Sequence, residues 1–170
     1  MKRSLLLWQV FGLTFSAVIG TLLHFLYDWT SLEIVKPISA INESTFEHMK
    51  ILFFPMLIFA IIQSFYFRKE YGNYWCVKLI GTIIGVFLIP TIFYTLGGVF
   101  GKLPDVINIL IFFISAGIGY LAEGLMLKNE IPKCKRLWIP ISILTLLAFS
   151  FVIFTYFPLN IPIFIDPRTL

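Results

Sequence analysis

WCVKLIGTIIGVFLIPTIFYTLG, residues Trp75–Gly97, holds one charged side chain, Lys78, in 23 residues. About 20 consecutive apolar residues suffice for a helix to cross the hydrocarbon core of a bilayer, so this stretch predicts a membrane span. Working outward, four more stretches meet the same length: Leu5–Tyr27, Phe46–Phe67, Pro104–Leu127 and Leu137–Phe157. Together they predict an all-α integral membrane protein, a compact bundle of five transmembrane helices forming one domain over residues 1–170. Residues 158–170 contain Pro158, Pro162 and Pro167 and read as a non-helical tail lying over one mouth of the bundle.

Composition supports the class. The chain is 59% hydrophobic and 13% charged, with a mean hydropathy of +0.92, whereas soluble domains carry about 25% charged residues. The net charge of +4 does not imply a nucleic-acid partner, because the basic residues cluster beside the ends of spans. Lys2 and Arg3 precede an apolar run too long for a signal-peptide h-region, with no convincing small-x-small cleavage site at its end, so the run is read as helix one.

Charge asymmetry predicts orientation. Lys2, Arg3, Arg68, Lys69, Lys78, Lys128, Lys133, Lys135 and Arg136 fall on one side, against Lys36, Lys50, Lys102 and Arg168 on the other. Nine against four places the N-terminus in the cytoplasm and, with five crossings, the C-terminus outside, in a multi-pass protein of the cell membrane. The outer side is then acidic, with Asp28, Glu33, Glu43, Glu47, Asp105 and Asp166. Cys76 and Cys134 fall near the cytoplasmic side, in no Cys-x-x-Cys or Cys/His pattern, and predict no disulfide. Glu123, near the inner end of helix four, reads as interfacial and paired with Lys128 or another inner cation. A polar path from it through Gln63 is disfavoured.

Small residues recur at four-residue spacing as Gly12, Ser16 and Gly20, as Gly81 and Gly85, and as Ser115 and Gly119. Such rows let backbones approach where lipid supplies no hydrophobic force between helices. They predict packed faces, and they also offer docking surfaces for a membrane partner.

The polar residues concentrate where the first span ends and the second begins. His24 lies one turn beyond Gly20 and one turn before Asp28, while Asn42, Glu43, Ser44, Glu47, His48 and Lys50 form a run at the start of the second span. Read as helical, Glu43 and Glu47 stack on one row and Ser44 and His48 on the next. The plain structural account is that Ser44-x-x-Glu47 is a capping box and Glu47 with Lys50 an ordinary helical ion pair. One cap does not require two carboxylates and an imidazole at membrane depth, and this excess marks His24, Asp28, Asn42, Glu43, Glu47 and His48 as a candidate ligand pocket, closed by Tyr94, Asn108 and the tail.

The run Asn-Glu-Ser-x-x-Glu-His-x-Lys at Asn42–Lys50, preceded by His24 and Asp28, resembles an uncharacterised family of small five-span bacterial integral membrane proteins. The resemblance implies a fold class and a candidate site and transfers no mechanism.

Two imidazoles with carboxylates are donors for a divalent transition metal such as zinc, so His24, His48, Glu43 and Glu47 are candidate ligands. A glutamate left over, Glu47, is the candidate base. Four uses fit these residues: binding of a divalent cation or small polar ligand, a membrane-embedded metal-dependent hydrolase, a small cation- or proton-coupled transporter, and an accessory subunit without a chemical site. The sequence contains no H-E-x-x-H, G-x-S-x-G, Walker or dinucleotide motif to favour an enzyme.

Overall fold

The computed structural model describes residues 3–134 and 136–168, with Arg3 and Asp105 described in backbone alone. Lys2 and Lys135 of the charge comparison, the Arg3 and Asp105 side chains, and tail residues Thr169 and Leu170 lie outside the described residues. Five helices cover the five apolar stretches: α1 (Arg3–Thr30), α2 (Thr45–Phe67), α3 (Tyr74–Phe100), α4 (Asp105–Lys128) and α5 (Trp138–Tyr156). Two 3-10 turns, Glu33–Val35 and Pro162–Phe164, punctuate the first loop and the tail, and no strand occurs among the described residues. All five helices are long and apolar enough to cross a membrane.

α2 is the central helix. Phe46, Ile51, Leu52, Phe53, Met56 and Phe59 are buried along it against α1, α3, α4 and α5. The outward faces remain apolar as well: Leu6, Phe11, Val18 and Phe25 on α1 and Leu146, Phe149 and Ile153 on α5 are all exposed. Water would not tolerate so broad an apolar surface, whereas lipid solvates it. The polar core residues therefore stand between helices, away from the lipid-facing sides.

The small-residue rows are where helices touch. A Cβ at Gly20 would lie 2.6 Å from Phe112 Cζ, one at Gly119 would lie 3.0 Å from the Gly81 carbonyl oxygen, and one at Gly81 would fall on Glu123 Cγ. Gly81→Ala is expected to cost about 1–3 kcal/mol through overpacking, seen as a lower thermal midpoint in detergent. Gly97→Ala, where an added Cβ meets nothing within 4 Å, should leave that midpoint nearly unchanged. Equal midpoints for the two variants would refute the close α3–α4 contact.

Two expectations are corrected at the end of the bundle that carries the α1 N-terminus. Cys76, in the first turn of α3, is disulfide-bonded to Cys134 in the α4–α5 connection, with Cα atoms 6.3 Å apart. Antiparallel packing of α3 on α4 places the end of α4 beside the start of α3, so 58 residues of sequence separation close to bonding distance. Glu123 is not interfacial, and its partner is Lys78 within α3. Both are buried, and Lys78 Nζ donates to Glu123 Oε2 at 2.5 Å. The Lys78 ammonium also lies 5.6–5.7 Å from the ring centres of Phe59, Tyr74 and Tyr120, within cation–π range. Glu123 thus closes on a partner and does not continue a path with Gln63, which accepts from Tyr74 Oη at 3.5 Å.

Candidate metal centre

At the opposite end, the first loop folds back onto α1. The Ala40 amide donates to the Leu23 carbonyl at 3.1 Å, and Ala40 is buried. That return brings Glu43 beside His24. Ser44 then caps α2 in extended conformation, with φ −66° and ψ 153°, its hydroxyl accepting from the Glu47 amide at 3.4 Å. Asn42 Oδ1 accepts from the Ser44 amide at 2.9 Å and fixes the turn.

The cap changes which acidic residue meets the histidines. Because α2 begins at Thr45, Glu43 lies before the helix and does not share a helical row with Glu47. Glu47 turns to the other side, where Oε2 accepts from Lys50 Nζ at 2.6 Å and from the Ile41 amide at 3.1 Å. Lys50 is buried and also donates to the Lys36 carbonyl and to Thr155 Oγ1, each at 2.9 Å. Glu47 and Lys50 therefore join loop, α2 and α5. Asp28 sits on the exposed side of α1, and Asn42 serves the turn.

What remains is a cluster of three. His24 Nε2 lies 3.5 Å and His48 Nε2 3.6 Å from the same Glu43 oxygen, Oε2, and one ligand atom from each residue falls within 4.8 Å of the other two. The two imidazole rings are 5.4 Å apart at 67°. His48 Nδ1 lies 3.0 Å from the Ser44 carbonyl oxygen. A carbonyl only accepts, so Nδ1 holds the proton and Nε2 turns its lone pair toward Glu43. A lone pair facing a carboxylate is repulsive unless a cation or proton lies between them. His24 Nδ1 and Asn108 Oδ1 are buried in the same region without a hydrogen-bond partner.

The surroundings favour an ionised carboxylate. The neighbouring His24 first, then His48 and Arg168, hold the Glu43 carboxyl below its ordinary range against the opposing effect of burial. Arg168 Nη1 stands 3.6 Å from the second oxygen, Oε1, and the Glu43 amide donates to Asp166 Oδ2 at 3.2 Å. The tail thereby straps the mouth, with Phe164 packed on Phe46 at 4.5 Å between ring centres. Burial alone would raise the Asp166 carboxyl, but hydrogen bonds from the Arg168 side chain and backbone and from the Glu43 amide bring it below its usual value.

Beneath the cluster opens a cavity of about 830 Å³, lined by Gly20, Thr21, Phe25, Phe93, Gly97, Ile109, Phe112 and Phe113 as well as by His24, Glu43, His48, Asn108, Lys102 and Arg168. Its rim includes Gly101, whose positive φ of 76° just past α3 is a backbone conformation that glycine adopts without strain. Asn108 and the tail help form the walls, whereas Tyr94 does not line the cavity. Sequence reasoning missed Arg168 as a site residue. Nothing in a proline-rich tail 125 positions from Glu43 signals that contact.

Fold and cluster define a multi-pass membrane protein class, five helices with a His/carboxylate group at one end. The chain belongs to DUF6512, a family of unknown function, whose model matches residues 2–169. No curated protein and no solved structure matches it.

Proposed function

We propose that this protein binds a divalent transition cation, with zinc the best match to the donors, through His24, Glu43 and His48 at the extracytoplasmic end of the bundle. The observation that carries this reading is spacing. Zinc holds nitrogen and oxygen donors at about 2.0–2.2 Å in a tetrahedron, which sets neighbouring donors ~3.4 Å apart. The Nε2–Oε2 separations of 3.5 and 3.6 Å are near that value and are long for direct hydrogen bonds. A tetrahedral ion held by three side chains would keep one position for water or a ligand.

The hydrolase alternative loses its candidate base, because the Glu47 carboxylate is committed to Lys50 and Ile41. Binding is therefore favoured over hydrolysis. The test is metal analysis of protein purified without chelator and dialysed against zinc. One zinc per chain is expected in wild type and none in His48→Ala; zinc retained at full stoichiometry in His48→Ala would refute the assignment.

A further inference from the structure

Resting on that metal reading, we infer that the cavity takes an amphiphile with a phosphate head and an apolar tail, the head held between the cation and Arg168 and the tail lying among the phenylalanines. The first support is shape. Along α3 the lining runs from Phe93 to Gly101, about 12 Å at the helical rise of 1.5 Å per residue. The cavity thus descends from the polar rim well into the hydrocarbon zone. Its volume lies within the roughly 300–1,000 Å³ of pockets that enclose an organic ligand, far more than one ion needs.

The second support is the wall. Phe25 on α1 and Ile109 and Phe113 on α4 line the cavity and remain 42%, 56% and 40% exposed. The accessible part of the cavity thus presents apolar side chains, which suit an acyl or isoprenoid chain.

The third support is charge. Arg168 and Lys102 stand on the rim, and a divalent ion on the trio would more than neutralise Glu43. A mouth of that sign, with one open metal position and a guanidinium fork, selects an anion with several oxygens. A phosphate supplies one oxygen to the ion and others to arginine, a role for which the fork is shaped. Asp166, already hydrogen-bonded to Arg168 Nη2 at 3.1 Å, orients the fork.

Native mass spectrometry of the full chain in detergent tests this, with phosphatidic acid, phosphatidylcholine and inorganic phosphate as separate probes and zinc content measured on the same samples. One phosphatidic acid per chain is expected, at least about tenfold tighter than phosphatidylcholine and not displaced by millimolar inorganic phosphate. Gly97→Phe, which projects into the open cavity away from the metal ligands, should keep zinc and lose the lipid about tenfold. Arg168→Gln should erase the preference for phosphatidic acid over phosphatidylcholine, compared at equal zinc content.

Zinc bound with no selective lipid, or lipid binding indifferent to both variants, overturns the inference and leaves the metal reading intact. Displacement by inorganic phosphate alone overturns the amphiphile in favour of free phosphate. Selective lipid binding in protein that holds no zinc overturns the metal reading while keeping the ligand class. Loss of both refutes both.

Discussion

Glu123→Ala should destabilise the bundle by about 3–5 kcal/mol, the range found when one partner of a buried ion pair is removed and the other charge is left uncompensated. Lys78 is buried within α3, and no aqueous surface lies beside it to take up the stranded ammonium. The midpoint of thermal or SDS-induced unfolding in detergent measures the loss. The double variant Lys78→Met/Glu123→Leu removes both charges while keeping volume and should recover most of it, since apolar replacements of buried pairs are commonly neutral or stabilising. A double variant as unstable as the single one would show that the destabilisation has another origin. Neither variant should alter zinc stoichiometry, because the pair and the trio occupy opposite ends of the bundle.

The second large effect concerns the trio. Loss of an outer partner of a metal ligand typically lowers affinity about 10–100-fold, and removal of a ligand itself should exceed that. His48→Ala and Glu43→Ala are each expected to weaken zinc binding by about 100-fold or more in competition titrations against a chromophoric chelator. Glu47→Gln leaves the donors in place and should change affinity less than about threefold, while costing stability through Lys50. A Glu47→Gln variant that lost zinc as completely as Glu43→Ala would return Glu47 to the site.

pH gives an independent check with a definite sign. The histidines must be neutral to ligate, so binding should strengthen as pH rises through their titration. Glu43 contributes no such dependence there, because its carboxyl is held below the ordinary carboxylate range and is already ionised. Its stabilising contacts are present above the unfolded value of about 4.3 and are lost as pH falls through the lower folded value. Affinity and stability should therefore fail in separate windows, affinity first.

The sequence resolved the five helices because apolar length alone distinguishes a span from any soluble element. It resolved His24 and His48 as neighbours because four-residue spacing from Gly20 placed His24 on the packed side of α1. Glu43 and Glu47 were misassigned to one row because the helix was extended one turn too early; Ser44 and Asn42 are strong cap formers, and starting α2 after them separates the two carboxylates.

The buried pair was also within reach. Glu123 follows Gly119 by four residues and Lys78 precedes Gly81 by three, so both belonged on faces already read as packed. Proximity to a span end points Glu123 toward the interface, whereas rotation about the helix axis points it inward. The Cys76–Cys134 bond and the approach of Arg168 to Glu43 depend on how loops return, and a hydropathy pattern carries no such information.

The burial of Lys50 and Lys78 has a practical consequence. Amine-reactive reagents should modify the rim and loop lysines of the native protein while passing over these two, which report from opposite ends of the bundle. Their joint silence would mark an intact preparation. Labelling of Lys50 alone would reveal a loosened first loop, and labelling of Lys78 alone a parting of α3 from α4, so one peptide map distinguishes local damage from general collapse.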